Sequence, residues 1–279
     1  MDSMKLSVVI PAHNEKDTLG ETVKGLEDVF DREKIIYELI LVNDNSTDDT
    51  HDVIAGLMNN NSSIKYVDRT PPSGFGRAIR SGLEAVEGDA VVICMADCSD
   101  DPEDVVKYFR KLEEGYDCVF GSRFIKGSKV EKYPKIKLIT NRIVNKIIQW
   151  MFRCKFNDLT NAFKAYRSEV IYACGPYRGS HFNITLELSL SALIRKYDIA
   201  QIPINWYGRT WGSSKLSLRK MGRRYLETLL KIYAEKLLIA DDIEAERLAD
   251  RRKYETSING LNKRLEKLEN KVLDLENNK

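Results

Sequence analysis

Residues 6–15 read LSVVIPAHNE, an apolar and β-branched run that ends in a polar turn. Three further runs repeat this pattern in the first half of the chain: YELILVND (37–44), IKYVDR (64–69) and DAVVICMA (89–96). Helical patterns separate the runs. Continuous apolar strands that alternate with helices indicate a parallel sheet with helices on both faces. We therefore predict an α/β fold.

Each predicted strand runs into a loop that carries polar, acidic or glycine residues. In open α/β sheets, ligands bind beyond the carboxyl ends of the strands. We therefore expect a binding site on four loops, at residues 11–15, 43–46, 74–77 and 97–101.

The composition limits the classes of protein. The chain has 279 residues, and 44 Lys and Arg against 42 Asp and Glu leave a net charge of +2, which argues against a general nucleic-acid binder. No apolar run approaches the ~20 residues of a membrane span, and a strand-like run follows MDSMK directly, so we expect neither a transmembrane helix nor a signal peptide. The five cysteines lack metal-ligand spacing, so we expect reduced thiols, no zinc site and a cytoplasmic protein.

Two basic segments have helical apolar spacing. Residues 135–155 carry six Lys and Arg and no acid, and residues 215–236 carry seven Lys and Arg and two Glu. The apolar positions are Ile136, Ile139, Ile143, Ile147 and Trp150 in the first segment, and Leu218, Met221, Tyr225, Leu229 and Ile232 in the second. Such helices are typical of segments that lie in a membrane interface. The alternative is a helix packed on the domain with solvated lysines.

The C-terminal segment has a heptad pattern. Seven apolar residues form three heptads: Tyr254, Ile258, Leu261, Leu265, Leu268, Val272 and Leu275. This pattern predicts a coiled coil and therefore a homo-oligomer, with dimer and trimer both open and a lone helix as the alternative. The predicted domains are 1–214, a basic amphipathic helix at 215–240, and a helical tail at 241–279.

Six sequence blocks carry a resemblance to a known family. They are VVIPAHNE (8–15), LVNDNSTDDT (41–50), MADCSDDPED (95–104), GSRF (121–124), DLTNAFKAYR (158–167) and RTWGSSK (209–215). Together they resemble the inverting glycosyltransferases of family 2, which have the GT-A fold, and most resemble the dolichyl- and polyprenyl-phosphate mannose or glucose synthases. The resemblance covers residues 4–220. It implies a mixed, mainly parallel sheet and a nucleotide-sugar donor.

The resemblance assigns a donor side to the predicted site. Pro11, Ala12, Asn14 and Glu15 would line the nucleoside pocket, Asp44 would contact the base, and Gly76, Ala96 and Asp97 would complete the nucleotide site. For Glu15 the alternative is a solvated loop acid, and for Asp44 a turn residue without a ligand. Gly76 belongs to the segment SGFGRA, which lacks the phosphate-loop pattern and can equally form a tight turn.

The resemblance also implies Mg²⁺ or Mn²⁺. Asp97 matches the second aspartate of the family's Asp-x-Asp metal motif, but Met95 replaces the first. Ser99 could supplement Asp97, because Mg²⁺ commonly retains several waters. The alternative is that this acidic segment only caps the next helix, with Asp101 at the N-cap and Pro102 after it.

Four cations match family positions that face phosphates. Arg123 and Lys137 would hold the phosphate of a lipid acceptor, and Arg209 and Lys215 would lie near the donor diphosphate. An arginine fork grips phosphate oxygens bidentately, whereas the alternative is simple surface charge.

Two carboxylates have open roles. Asp158 is either a general base or an orienting residue, because an ionised phosphate acceptor needs no base. Asn161 and Ala162 replace the family's Ser-Gly pair beside it. Glu187 lines the site or belongs to the polar face of a core helix.

The resulting hypothesis is an enzyme that transfers mannose or glucose, with inversion, from a GDP- or UDP-sugar to a polyprenyl or dolichyl phosphate. It would bind peripherally to an anionic membrane surface on the cytosolic side. One alternative is a glycosyltransferase that acts on a saccharide acceptor in surface-glycan synthesis. Another is a non-catalytic scaffold that only binds nucleotide sugars.

Overall fold

The computed structural model describes residues 4–208, 218–239 and 242. Arg209, Lys215 and the predicted coiled coil of the tail lie outside these residues. Inter-residue contacts divide the chain into two units, Met1–Tyr233 and Ala234–Lys279. The domain boundaries predicted at 214 and 240 stay a prediction.

Seventeen elements are present in the described residues. In chain order they are β1 (Lys5–Ala12), α1 (Leu19–Glu33), β2 (Ile36–Asn43), α2 (Thr50–Asn60), β3 (Ile64–Asp68), α3 (Phe75–Glu84), β4 (Ala90–Ile93), α4 (Pro102–Glu113), β5 (Cys118–Ser122), β6 (Lys129–Glu131), α5 (Lys135–Phe152), β7 (Lys164–Arg167), α6 (Ser168–Cys174), α7 (Ile184–Ile194), β8 (Ile199–Pro203), β9 (Asn205–Tyr207) and α8 (Leu218–Leu238).

Seven strands form one mixed sheet in the order β3-β2-β1-β4-β7-β5-β8. Only β7 runs antiparallel to its neighbours, β4 and β5, so the predicted α/β fold with a mainly parallel sheet is confirmed. Strands β6 and β9 form a separate parallel pair.

Helices cover both faces of the sheet because each central strand is apolar on both sides. Leu6, Val8 and Ile10 of β1 face the core beneath α1 and α4. On the opposite face, α3 approaches β1 closely at Gly82, where an added Cβ would clash with the side chain of Val9. The strand β1 therefore lies in the middle of a three-layer core.

The start of α4 follows the capping pattern predicted from the sequence. Asp101 is the N-cap, its side chain accepts the N–H of Glu103 at 3.0 Å, and Pro102 occupies the first turn. The cap ends the loop 97–101 at a fixed point, so the acids of that loop are held at the carboxyl end of β4.

The predicted helix at 135–155 forms as α5 but presents two different faces. Ile148 and Phe152 are buried against the domain. The stripe predicted from the sequence, Ile136, Ile139, Ile143, Ile147 and Trp150, is exposed, with Trp150 at 81%. The helix therefore packs on the domain and still leaves an apolar face uncovered.

The second basic helix, α8, buries part of the apolar face that was predicted to lie in a membrane interface. Leu229 and Ile232, predicted to lie on the interfacial face, are buried, whereas Leu226 and Leu230 are exposed. The spacing identified an apolar face correctly, but burial in the domain core uses that face. In the described residues, no helix has both the length and the apolar content to cross a membrane.

Candidate active site

One cavity of about 920 Å³ lies beyond the carboxyl ends of β1, β2 and β4. Its wall runs from these strand ends to helix α5 and to the part of α8 that contains Leu229. The position predicted from the strand-end loops is therefore the position of a cavity large enough for a nucleotide-sized ligand.

The structure brings most of the predicted donor residues to this cavity. Pro11, Ala12, Glu15, Asp44 and Asp97 all line it. These residues come from three different strand-end loops, which meet because parallel strands end at the same edge of the sheet.

Asp44 is buried and held from two sides. Its carboxylate accepts the N–H of Gly74 at 2.6 Å and forms an ion pair with Arg69. These contacts fix the carboxylate at the cavity wall. Arg69 was not predicted, because its partner lies 25 residues earlier in the chain.

Three predicted nucleotide-binding residues lie outside the cavity wall. Asn14 has a positive φ of 56°, and its side chain accepts the N–H of Thr47 at 2.7 Å, so it builds a turn. Gly76 packs against the backbone of Gly179, and the carbonyl of Ala96 accepts the Thr18 hydroxyl at 2.8 Å. These residues shape the loops behind the cavity, and their contact with a nucleotide stays a prediction.

Asp97 and Ser99 lie together at the cavity. Oδ1 of Asp97 accepts both the hydroxyl of Ser99 at 2.5 Å and its backbone N–H at 3.2 Å. Within the described residues, no group of three or more His, Cys, Asp or Glu side chains is placed to hold a metal ion. This set fits a cation only in the manner common for Mg²⁺, with one or two carboxylates and the remaining ligands from substrate phosphates and water.

The neighbouring acid, Asp100, is also at the cavity. Burial raises its pKa to about 8, although its carboxylate accepts the N–H of Met95 at 2.9 Å. Met95 itself lines the cavity where the family motif has an aspartate. Asp97 and Asp100 are the two aspartates of this segment that line the cavity, and the raised pKa keeps Asp100 largely protonated near neutral pH.

Arg123 and Asp158 form a buried, two-pronged ion pair. Nε and Nη2 of Arg123 each donate to one oxygen of Asp158 at 2.8 Å, and the backbone N–H of Arg123 donates as well. The guanidinium also stacks between the rings of Phe124 and Tyr133. Burial alone would lower the pKa of Arg123, but the Asp158 carboxylate outweighs it and raises the pKa above its ordinary value.

The ion pair between Arg123 and Asp158 bears on the role predicted for each residue. Arg123 lines the cavity as expected, but Asp158 does not. Both carboxylate oxygens of Asp158 accept hydrogen bonds from Arg123, so the geometry favours an orienting role over that of a general base, and the choice between them stays a prediction. Lys137 of α5 lines the cavity near Thr140 and Asn141, as predicted for a residue that faces an acceptor.

The segment that carries Arg209 and Lys215 begins at the cavity. Gly208 lies in the cavity wall, and the preceding Tyr207 donates its N–H to the carbonyl of Ser99 at 3.0 Å. Asn205 adds a side-chain hydrogen bond to Asp101 at 2.9 Å. Strand β9 is therefore tied to the loop that holds Asp97.

The contacts of two polar residues near the site, Lys164 and Glu187, were not predicted from the sequence. Lys164 is buried and donates to the carbonyls of Leu159 and Asn161; burial lowers its pKa to about 7. Glu187 lies outside the cavity wall and pairs with Lys231. The strand Lys164–Arg167 carries a cation at each end, so its sequence did not signal the burial of Lys164, and the partner of Glu187 lies on a distant helix.

These observations define the class of protein. A mixed, mainly parallel sheet, with acids at the strand ends facing one cavity, is the GT-A arrangement of nucleotide-sugar transferases. The family model for glycosyl transferase family 2 matches residues 7–175, and the chain belongs to that family.

Known relatives agree with this membership. A dolichol-phosphate mannosyltransferase of Pyrococcus furiosus is 29% identical over 233 residues, which are 82% of this chain and 63% of the relative. An uncharacterized glycosyltransferase of Synechocystis is 32% identical over 171 residues, 61% of this chain and 52% of the relative. The chain thus spans about half to two thirds of the length of these relatives.

Solved structures share the fold. Glucosyl-3-phosphoglycerate synthase from Mycobacterium tuberculosis, in complex with Mn²⁺, uridine diphosphate and phosphoglyceric acid, superposes with a TM-score of 0.62 at 22% identity. The match covers 82% of this chain and 78% of the synthase. A mycobacterial protein gives a TM-score of 0.66 at 20% identity and covers 83% of this chain and 75% of its own.

Proposed function

We propose that the protein transfers mannose or glucose, with inversion, from a GDP- or UDP-sugar to a polyprenyl phosphate at a membrane surface. The observation that carries the proposal is the continuity of the cavity. The acids Asp44 and Asp97 of the strand-end loops line the same cavity as the apolar Val144 and Ile147 of α5 and Leu229 of α8. A single space with both acidic and apolar walls fits a nucleotide sugar and a lipid together.

The donor end matches the needs of a nucleotide. Asp44 and Glu15 can accept hydrogen bonds from the base and ribose, and Pro11 and Ala12 supply an apolar wall. Arg209 and Lys215 are the proposed partners of the diphosphate, in the segment that follows Gly208.

Asp97, with Ser99, would hold Mg²⁺ or Mn²⁺, which would neutralise charge on the leaving diphosphate. The Mycobacterium synthase with a similar fold was crystallised with Mn²⁺ and uridine diphosphate. Because only one protein carboxylate is proposed as a ligand, the affinity for the cation alone should be low and should rise with the nucleotide present.

The acceptor end presents cations and then apolar side chains. In this proposal Nη1 of Arg123 and Nζ of Lys137 bind the acceptor phosphate. Asp158 holds the other nitrogens of Arg123 and so orients the guanidinium. The lipid chain would lie against Ile147 and Leu229, beside the exposed isoleucines of α5.

The reaction is a single in-line displacement. An ionised oxygen of the acceptor phosphate attacks the anomeric carbon as the bond to the diphosphate oxygen breaks, and the configuration inverts. A phosphate monoester loses its second proton near pH 6, so the acceptor needs no general base near neutral pH. The engagement of Asp158 with Arg123 supports this acceptor class over a saccharide hydroxyl, which would require a base.

Two surfaces support membrane association. The isoleucine stripe of α5 is exposed beside basic residues, and Leu226 and Leu230 are exposed on α8. Exposed apolar side chains flanked by lysines are typical of helices that insert into an anionic interface. The relative from Pyrococcus furiosus is a dolichol-phosphate mannosyltransferase, and a lipid phosphate as the acceptor of this protein is consistent with that similarity.

The test is transfer of labelled sugar. The protein is incubated with Mn²⁺, labelled GDP-mannose or UDP-glucose, and either a polyprenyl phosphate or a water-soluble oligosaccharide. We expect label in the organic-extractable lipid and its loss in Asp97→Asn. Label only in the soluble saccharide would support the saccharide alternative, and nucleotide binding without any transfer would support the scaffold.

A further inference from the structure

Glu187 ties helix α8 to a loop on the donor side of the cavity. Its Oε2 accepts the backbone N–H groups of Arg178 at 2.9 Å and Gly179 at 2.6 Å. Its Oε1 pairs with Nζ of Lys231 on α8 at 2.7 Å. The carboxylate is buried, so these three donors replace the water that it would otherwise bind.

Helix α8 also holds the far end of the same loop. Nδ2 of Asn183 donates to the Thr228 hydroxyl at 3.0 Å, and the Tyr225 hydroxyl donates to the carbonyl of Phe182 at 3.5 Å. Loop 178–183 is therefore attached to α8 at both ends.

The opposite side of loop 178–183 packs on residues 74–76, the glycine segment at the start of α3. A Cβ on Gly74 would clash with the carbonyl of Ser180, and one on Gly76 with the carbonyl of Gly179. The Phe182 ring stacks on Phe75 with centroids 4.3 Å apart. The side chains of Phe75 and Phe182 both line the cavity.

The glycine segment also contacts Asp44, the acid proposed to bind the donor. The N–H of Gly74 donates to Oδ2 of Asp44 at 2.6 Å. An unbroken series of contacts therefore runs from Lys231 through Glu187, loop 178–183 and Gly74 to Asp44. Apart from Lys231, whose side chain is half-exposed, these contacts join backbone or buried groups, which transmit small displacements because they are closely packed.

We propose that Lys231 and Glu187 are positioning residues that set nucleotide affinity by holding loop 178–183 against residues 74–76. Neither side chain lines the cavity, so their effect would pass through the loop. This inference rests on the proposed function, because the nucleotide of the donor is the ligand whose affinity changes. By reciprocity, a bound nucleotide should also stabilise the loop.

The experiment measures binding of UDP and GDP, each with Mn²⁺, by calorimetry on the full chain. Lys231→Met removes the cation and keeps a similar apolar stem, whereas Lys231→Arg keeps the cation. Arg223→Met is the matched control, because it breaks the exposed pair of Arg223 with Glu227, which lies within the same helix. Circular dichroism melting checks that all variants are folded.

We expect Lys231→Met to weaken binding of the preferred nucleotide about fivefold, within the usual range of coupling between sites. Lys231→Arg should restore most of the affinity, and Arg223→Met should bind as the wild type does. In hydrogen exchange without ligand, the amides of Arg178 and Gly179 should exchange faster in Lys231→Met, and nucleotide should slow their exchange in the wild type.

Two failures can be told apart. If the wild type binds neither UDP nor GDP, the proposed function fails, and this inference fails with it. If the wild type binds and Lys231→Met binds equally well while its amides at 178–179 exchange faster, only the coupling is overturned, and the pair is structural.

Discussion

Arg123 shows how a single side chain can combine charge with a fixed direction. Its guanidinium is 8% exposed and lies between two aromatic rings, with Asp158 on two of its nitrogens. Desolvation disfavours a buried cation, and the paired carboxylate offsets this cost. A surface arginine would be mobile, whereas this one presents its remaining donors in one orientation, which suits recognition of a phosphate.

Substitution of Asp158 separates orientation from base catalysis. Asp158→Asn should raise the KM for the lipid phosphate more than it lowers kcat, because Arg123 keeps its charge but loses its fixed partner. It should also lower the free energy of unfolding by about 2–4 kcal/mol, since a buried arginine loses its counterion. Steady-state kinetics and denaturant titration test both effects.

The opposite result would identify a base. A fall in kcat of about 10²-fold or more at unchanged KM is the usual effect of removing a general base. Asp117→Asn serves as the control, because Asp117 accepts the N–H of Asp198 and does not line the cavity.

Helix α5 is an element whose two faces have different environments. Ile148 and Phe152 anchor it on the domain, and the isoleucine stripe faces outward. An uncovered apolar stripe on a basic helix costs free energy in water and gains it at an anionic membrane. The helix is therefore the proposed contact with the lipid surface.

A charge in the stripe should weaken membrane binding without unfolding the protein. Ile143→Glu should reduce co-sedimentation with vesicles of equal parts phosphatidylcholine and phosphatidylglycerol about tenfold or more, because burial of an isoleucine is worth about 1.5–3 kcal/mol. Ile36→Glu is the matched control, since Ile36 is 51% exposed on β2 and Ile143 is 56% exposed. Equal sedimentation of both variants would contradict the interface proposal.

The glycines of two helices predict opposite effects of the same substitution. Gly76→Ala places a Cβ against the carbonyls of Gly179 and His181, whereas Gly56→Ala in α2 meets no atom within 4 Å. Gly76→Ala should destabilise the protein by about 1–3 kcal/mol and weaken nucleotide binding. Gly56→Ala should stabilise it by about 0.5–1 kcal/mol. Thermal unfolding with and without UDP or GDP measures both, and stabilisation by Gly76→Ala would refute the close packing of this loop.

The stability of the whole molecule depends on a buried acid far from the cavity. Glu38 of β2 accepts hydrogen bonds from Lys5 at 2.6 Å, from Ser7 at 2.5 Å and from the N–H of Glu87 at 2.8 Å. Burial by itself raises the pKa of Glu38, but these donors, with Lys65, outweigh it and lower the pKa to about 2. One carboxylate thus connects β1, β2, β3 and the segment before β4.

This shift predicts a pH dependence of unfolding. A lowered pKa in the folded state means that the stabilisation is present above the unfolded value near 4.5 and is lost as the pH falls towards 2. The lowering from 4.5 to about 2 corresponds to a contribution of about 3 kcal/mol near pH 7. Glu38→Gln should therefore lower the free energy of unfolding at pH 7, and the difference from the wild type should shrink as the pH falls from 5 to 3. Denaturant titrations across this range test it, with the exposed Glu84→Gln as the control; a difference independent of pH would exclude the ionic cause.

The alternation of strands and helices could be predicted from the sequence because it depends on local apolar periodicity. The four strands β1 to β4 lie where their apolar runs indicated, and the acids after them reach one cavity because parallel strands share an edge. The capping of α4 by Asp101 was likewise visible, since a cap involves residues only two or three positions apart.

What the tertiary structure decided involves partners that are distant in the sequence. The pairing of Arg69 with Asp44 spans 25 residues, and that of Lys231 with Glu187 spans 44. Apolar spacing predicted that α8 has an apolar face, but only packing determined that Leu229 and Ile232 are buried while Leu226 is exposed. Local sequence determines which surfaces are apolar, and the free energy of burial across the whole molecule determines which of them water still reaches.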